Sequence, residues 1–79
     1  MAVILVAEDN TEYRKLLAIH LKRAGYAVCE AADGLAALDV IHAQSVDAVV
    51  ADIMMPRMDG MALLEQMRRE DLQTPVLIV

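Results

Sequence analysis

Three carboxylates, Glu8, Asp9 and Asp52, stand at the ends of two apolar runs and are the residues best suited to chemistry in this chain. Val3 to Ala7 runs straight into Glu8-Asp9, and Ala48 to Ala51 runs into Asp52. An acid at the carboxyl end of a buried strand is costly unless it is solvated, paired or bound to a metal. In open α/β sheets that end is also where ligands bind. Two neighbouring parallel strands would bring the three acids to one edge, as oxygen ligands for a hard cation. After Asp52 comes a Pro-containing turn, and Asp59-Gly60 then opens an amphipathic stretch.

The elements that must position these acids read βαβαβαβ. Ala2 to Ala7 is a continuous apolar run, a central strand buried on both faces. A helix follows from about Thr11 to Ala24, capped by Asn10 or Thr11, with Glu12 in its first turn. Tyr13, Leu16, Leu17, His20, Leu21 and Ala24 share one face at helical spacing, while Arg14, Lys15, Lys22 and Arg23 point elsewhere. Gly25 ends this helix. Tyr26 to Ala31 is the second strand, Ala32-Asp33-Gly34 a turn, and Leu35 to Ala43 a helix with Leu38 and Ile41 inward. Asp39 and His42 are solvated on its surface. Ala48 to Ala51 is the third strand. The helix from Asp59 to about Glu70 buries Met61, Leu64 and Met67 in part, and Arg68 and Arg69 complement its dipole. Pro75 to Val79 is a fourth strand, with Pro75 at its first position. This alternation predicts a parallel sheet with right-handed crossovers.

A length of 79 residues bounds the chain to one domain at most. The apolar content of 58% contains no Phe or Trp, which suits a parallel sheet covered by helices. The net charge of −5 leaves no basic patch to neutralise phosphates, so direct nucleic-acid binding is excluded. No run approaches the about 20 apolar residues that span a bilayer, and Met1 to Ala7 is too short for a signal peptide, so no membrane partner and a cytoplasmic location are expected. Cys29, the lone cysteine, reads as a buried, inert thiol. His20 reads as a boundary residue packed on its ring face, since no second His or Cys stands at ligand spacing.

Together these residues resemble the receiver domain of bacterial two-component response regulators, the CheY-like fold. The resemblance spans the whole chain. It rests on Glu8-Asp9 after the first strand, Gly25-Tyr26 before the second, and Gly34 with Ala37-Leu38 in the second helix. It rests further on Asp52-Ile53-Met54-Met55-Pro56, Met58-Asp59-Gly60 and Thr74-Pro75-Val76. The implied fold is a flavodoxin-like, CheY-like three-layer α/β fold with a parallel sheet of strand order 2-1-3-4, truncated after the fourth strand. By the same resemblance Asp52 is the phosphoacceptor. Asp9, Asp52 and the backbone carbonyl of Met54 would hold Mg²⁺, with Glu8 acting through water. Pro56 sets the turn and Gly60 allows close backbone approach.

The resemblance implies a phosphorelay component rather than a metabolic enzyme. It would take a phosphoryl group from a sensor histidine kinase or phosphotransfer protein and catalyse its own phosphorylation and dephosphorylation. In the family a Thr or Ser ends the fourth strand and a Lys ends the fifth. Residues 1–79 are therefore expected to be the N-terminal part of a receiver domain, without its fourth helix, fifth strand and fifth helix. Lys15 and Lys22, on the first helix, do not replace that Lys. An alternative reading is a truncated receiver fragment acting as an interaction module without phosphotransfer. It would homo-oligomerise through the exposed fourth strand (Val76, Leu77, Ile78 and Val79) or the open sheet face. Other phosphoryl-handling α/β folds fit less well. A haloacid-dehalogenase-like phosphatase needs Asp-x-Asp where Glu8-Asp9-Asn10 stands, and a Rossmann domain needs a glycine-rich first turn.

Overall fold

The apolar run at the start of the chain becomes strand β1 (Val3–Ala7), and a computed structural model describes every residue from Met1 to Val79 around it. The other elements are α1 (Thr11–Arg23), β2 (Ala27–Ala31), α2 (Gly34–Ala43), β3 (Ala48–Ala51), α3 (Gly60–Arg69) and β4 (Val76–Ile78). All strands pair in parallel, in the order β2-β1-β3-β4, which is the expected flavodoxin-like order. β1 is thus central, and Leu5, Val6 and Ala7 are fully buried.

Alternation along β1 serves two layers. Leu5 and Ala7 join Val49 and Ala51 of β3, Ala37 of α2, and Leu63 and Met67 of α3 in the main core. Ile4 and Val6 face the other way, where α1 lies over β1 and β2 and contributes buried Ala18. That second layer is narrower. Val6, Val50 and Leu77 are register partners across β1, β3 and β4. Val6 is buried, whereas Leu77, on the edge strand, is 61% exposed. No helix is long and apolar enough to cross a membrane.

Side-chain ties fix the ends of the elements. Asn10, Asp33 and Asp59 cap α1, α2 and α3 by accepting the N–H groups of Tyr13, Ala36 and Ala62. At the amino end of the sheet, the Val3 N–H donates to Asp47 Oδ2 at 2.6 Å. Arg68 donates to the carbonyls of Leu72 and Thr74, tying the end of α3 to the approach to β4.

Several expectations need correction. The inward stripe of α1 is buried Ala18 with half-buried Arg14, Leu17 and Leu21. Leu17 and Leu21 lie on the expected face, but the stripe is rotated so that Tyr13, Leu16, Ile19 and His20 are exposed. The small Ala18 permits the closest approach to the sheet, and Arg14 turns inward because partners await it there. In α3 the buried pair is Leu63 and Met67, an i,i+4 pair on the sheet side, and Met61 is exposed. His42 is not merely solvated: its Nε2 lies 2.7 Å from Glu70 Oε1, bridging α2 to the end of α3. Cys29 is only half-buried, and Gln44 Nε2 donates to its sulfur at 3.3 Å.

Candidate cation site at the carboxyl edge of the sheet

Strand register brings the acids together. Ala7 is aligned with both Ala31 and Ala51, so β1, β2 and β3 end side by side. The Asp52 N–H donates to the Ala7 carbonyl, and the Glu8 N–H to the Ala31 carbonyl, both at 3.0 Å. One carboxylate oxygen from each of Glu8, Asp9 and Asp52 lies within 4.8 Å of the others. Glu8 is buried, Asp52 half-buried and Asp9 exposed, so the cluster is graded from interior to solvent.

Burial pushes the Glu8 carboxyl up to about 7, and the neighbouring Asp52 and Asp9 carboxylates push in the same direction. Glu8 Oε2 is buried without a hydrogen-bond partner. Three acids at this spacing repel one another unless a proton or a cation lies among them. An all-oxygen donor set with an orphaned buried oxygen fits a hard divalent cation such as Mg²⁺.

The backbone on both sides is held. Arg14 Nη1 donates to the Glu8 carbonyl at 2.8 Å, while Arg14 Nε donates to Glu30 Oε1 at 3.2 Å. Lys15 Nζ also reaches Glu30, at 3.1 Å. Burial alone would raise the Glu30 carboxyl, but Lys15 and Arg14 outweigh it and hold it below the usual range. On the β3 side, the Met54 N–H donates to Asp52 Oδ1 at 3.2 Å. The Met58 N–H closes a tight turn onto the Pro56 carbonyl at 2.7 Å. Gly60 packs directly on the Asp52 carbonyl, where a Cβ would collide. The Met54 side chain is 76% exposed, beside a cleft lined by Asp9, Ile53, Met54, Met55, Pro56 and Asp59.

Three residues around this edge, Arg14, Asp33 and Arg57, have roles beyond those expected from the sequence. By helical spacing, Arg14 falls off the apolar face of its helix. Asp33, part of the expected turn, caps α2, and an Asp before Gly34 and an apolar helix is the signal that could have found it. Arg57 carries no local signal, because its partner Asp33 is 24 residues away.

The chain is similar in sequence and fold to known proteins. Residues 4–79 match the sequence model of the response regulator receiver domain. The chain is 41% identical over 76 residues to the regulator of RpoS of Escherichia coli K12, covering 96% of this chain and 23% of that protein. It spans between 23% and 33% of the length of curated relatives such as this one and the response regulator MprA of Mycobacterium. Among solved structures, the receiver domain of the Francisella response regulator 1452 superposes with a TM-score of 0.95 at 33% identity, over 99% of this chain and 64% of that one. The response regulator TrrA of Thermotoga maritima, solved in complex with Mg²⁺-BeF, gives a TM-score of 0.87 at 31% identity, over 99% and 66%.

Proposed function

The chain belongs to the response regulator receiver domain family, and from that premise we propose that Asp52 is its phosphoacceptor and that Glu8, Asp9 and Asp52 form its Mg²⁺ site. The observation that carries this reading is the convergence of the three carboxylates within 4.8 Å at the carboxyl edge of the sheet. The phosphoryl donor is a phosphohistidine of a sensor histidine kinase or phosphotransfer protein. A carboxylate oxygen of Asp52 forms the new O–P bond as the P–N bond of phosphohistidine breaks, and the bonding pair leaves on the imidazole nitrogen. Bound Mg²⁺ would supply positive charge to the transferred oxygens and offset repulsion between them and the acids.

The chain's own residues orient these groups. Asp9 and Asp52 offer direct carboxylate ligands, with the Met54 carbonyl completing the set. Glu8, buried and set back, acts through water. The Met54 N–H steadies Asp52 Oδ1, and Gly60 lets α3 start against the acceptor's own carbonyl. The chain spans 64% and 66% of two solved response regulator chains that it matches.

The test is labelling of the protein by a small-molecule phosphodonor with Mg²⁺, mapped by mass spectrometry. Label on Asp52 that disappears in Asp52→Asn is the expected result. Aspartyl phosphate persisting in that variant would overturn the acceptor assignment.

A further inference from the structure

The loop from Asp52 to Asp59 carries the proposed ligands at one end, and its other end is tied to α2 in two ways. The Gly34 N–H donates to the Met58 carbonyl at 2.9 Å. A Cβ on Gly34 would collide with that carbonyl and with the Met58 side chain, so the loop lies directly on the helix start. Beside this contact, Arg57 donates from Nε to Asp33 Oδ2 at 2.9 Å and from Nη2 to the same oxygen. Asp33 is 4% exposed, and its other oxygen accepts the Ala36 N–H at 2.8 Å. One buried carboxylate thus caps α2 and anchors the loop. The Ala36 N–H and then Arg57 hold the Asp33 carboxyl below its ordinary range, so it stays charged for both partners.

Arg57 itself has a φ of 66°, in the left-handed region. Glycine adopts that conformation freely, and a β-carbon does not. Backbone geometry therefore gives no reason for an arginine here. What the side chain adds is the tie to Asp33. Of the side chains from Ile53 to Met58, it alone hydrogen-bonds to another element.

We propose that Asp33 and Arg57 are positioning residues for the cation site: their ion pair clasps the β3–α3 loop to α2 and so sets the Met54 carbonyl relative to Asp9 and Asp52. The proposal rests on the reading of those three residues as Mg²⁺ ligands. Groups that hydrogen-bond to metal ligands orient them, and their loss weakens metal binding by about 10–100-fold. The Asp33–Arg57 tie acts one step further out, through the loop backbone, so the lower end of that range is expected.

Arg57→Gly is the decisive variant, because it removes the guanidinium and keeps the left-handed turn. Asp33→Asn keeps an acceptor for the Ala36 N–H and loses the charge. Arg57→Lys is the conservative control. Mg²⁺ affinity by calorimetry and amide exchange at Ile53 to Met58 in metal-free protein are read on each. Wild type binding Mg²⁺, with Asp52→Asn not binding, establishes the site itself. Arg57→Gly and Asp33→Asn should then bind about tenfold more weakly and exchange faster from Met54 to Met58. Arg57→Lys should recover part of both. Wild-type affinity and unchanged exchange in Arg57→Gly would overturn the clasp while leaving the site reading intact. If wild type itself fails to bind, the site reading falls. The exchange comparison then still decides the clasp: faster exchange in Arg57→Gly supports it as the loop's anchor, and unchanged exchange removes it.

Discussion

Gly60 begins α3 with its α-carbon against the carbonyl of Asp52, leaving no room for a side chain between the helix and the acid at the end of β3. Asp52 is held from below by the Ala7 carbonyl and from beside by Gly60, so its carboxylate has a defined place at the sheet edge. An added methyl group must move either β3 or α3, because the obstacle is backbone. Gly60→Ala should lower stability by about 1–3 kcal/mol, as overpacking does. It should also weaken Mg²⁺ binding. Urea denaturation and calorimetry on the same preparations check both, and unchanged stability would show that the helix can shift at little cost.

The acid cluster makes the metal-free protein sensitive to pH. The Glu8 carboxyl moves from 4.5 to about 7 on folding, by burial first and then through Asp52 and Asp9. A group that binds its proton more tightly when folded contributes stability that is fully present below 4.5 and lost as pH rises through about 7. Without divalent cation, the urea midpoint of wild type should therefore fall relative to Glu8→Gln across that window. Added Mg²⁺ favours the charged carboxylates and should narrow the difference. Parallel curves for the two proteins without metal would count against a raised Glu8.

Arg14 and Lys15 both reach Glu30 but should matter unequally. Arg14 also donates to the Glu8 carbonyl, and its side chain is largely buried. Arg14→Ala should cost about 1.5–3 kcal/mol, the range for hydrogen bonds involving a charged group. The exposed Lys15 should cost under about 1 kcal/mol, as surface pairs do. Chemical denaturation of the two variants decides this, and equal losses would mean that the Glu8 carbonyl contact adds nothing.

The inner face of α3 gives a sharper contrast. Leu63→Ala empties a fully buried position and should cost about 2–5 kcal/mol. Met61→Ala, on the exposed side, should change stability by no more than about 0.5 kcal/mol. Thermal or urea unfolding measures both, and a large Met61 effect would restore the helix face expected from the spacing of Met61, Leu64 and Met67.

Element type and order were legible because each depends on short-range pattern. The apolar runs Val3–Ala7 and Ala48–Ala51 have the length of buried strands, and intervening stretches of helical period leave the chain few topologies besides a parallel sheet. Meeting of the three acids was legible for the same reason. Residues at the carboxyl ends of adjacent parallel strands converge whatever the details of the helices.

Helix rotation was not legible. α1 offers apolar residues on more than one side, and spacing alone points to the face with Tyr13, Leu16 and His20, which the structure leaves exposed. The sheet chose Ala18, because only a small residue permits close approach, and it drew Arg14 inward to the Glu8 carbonyl and Glu30. The Asp33–Arg57 pair lay still further out of reach, since it joins two loops 24 residues apart. By itself the sequence determined the sheet and the acids at its edge, since strand patterns and chain order are local properties. Only the tertiary structure decided which helix faces are buried, how far Glu8 is desolvated, and which arginines brace the backbone around the acids. Those depend on distances between segments that local pattern does not contain.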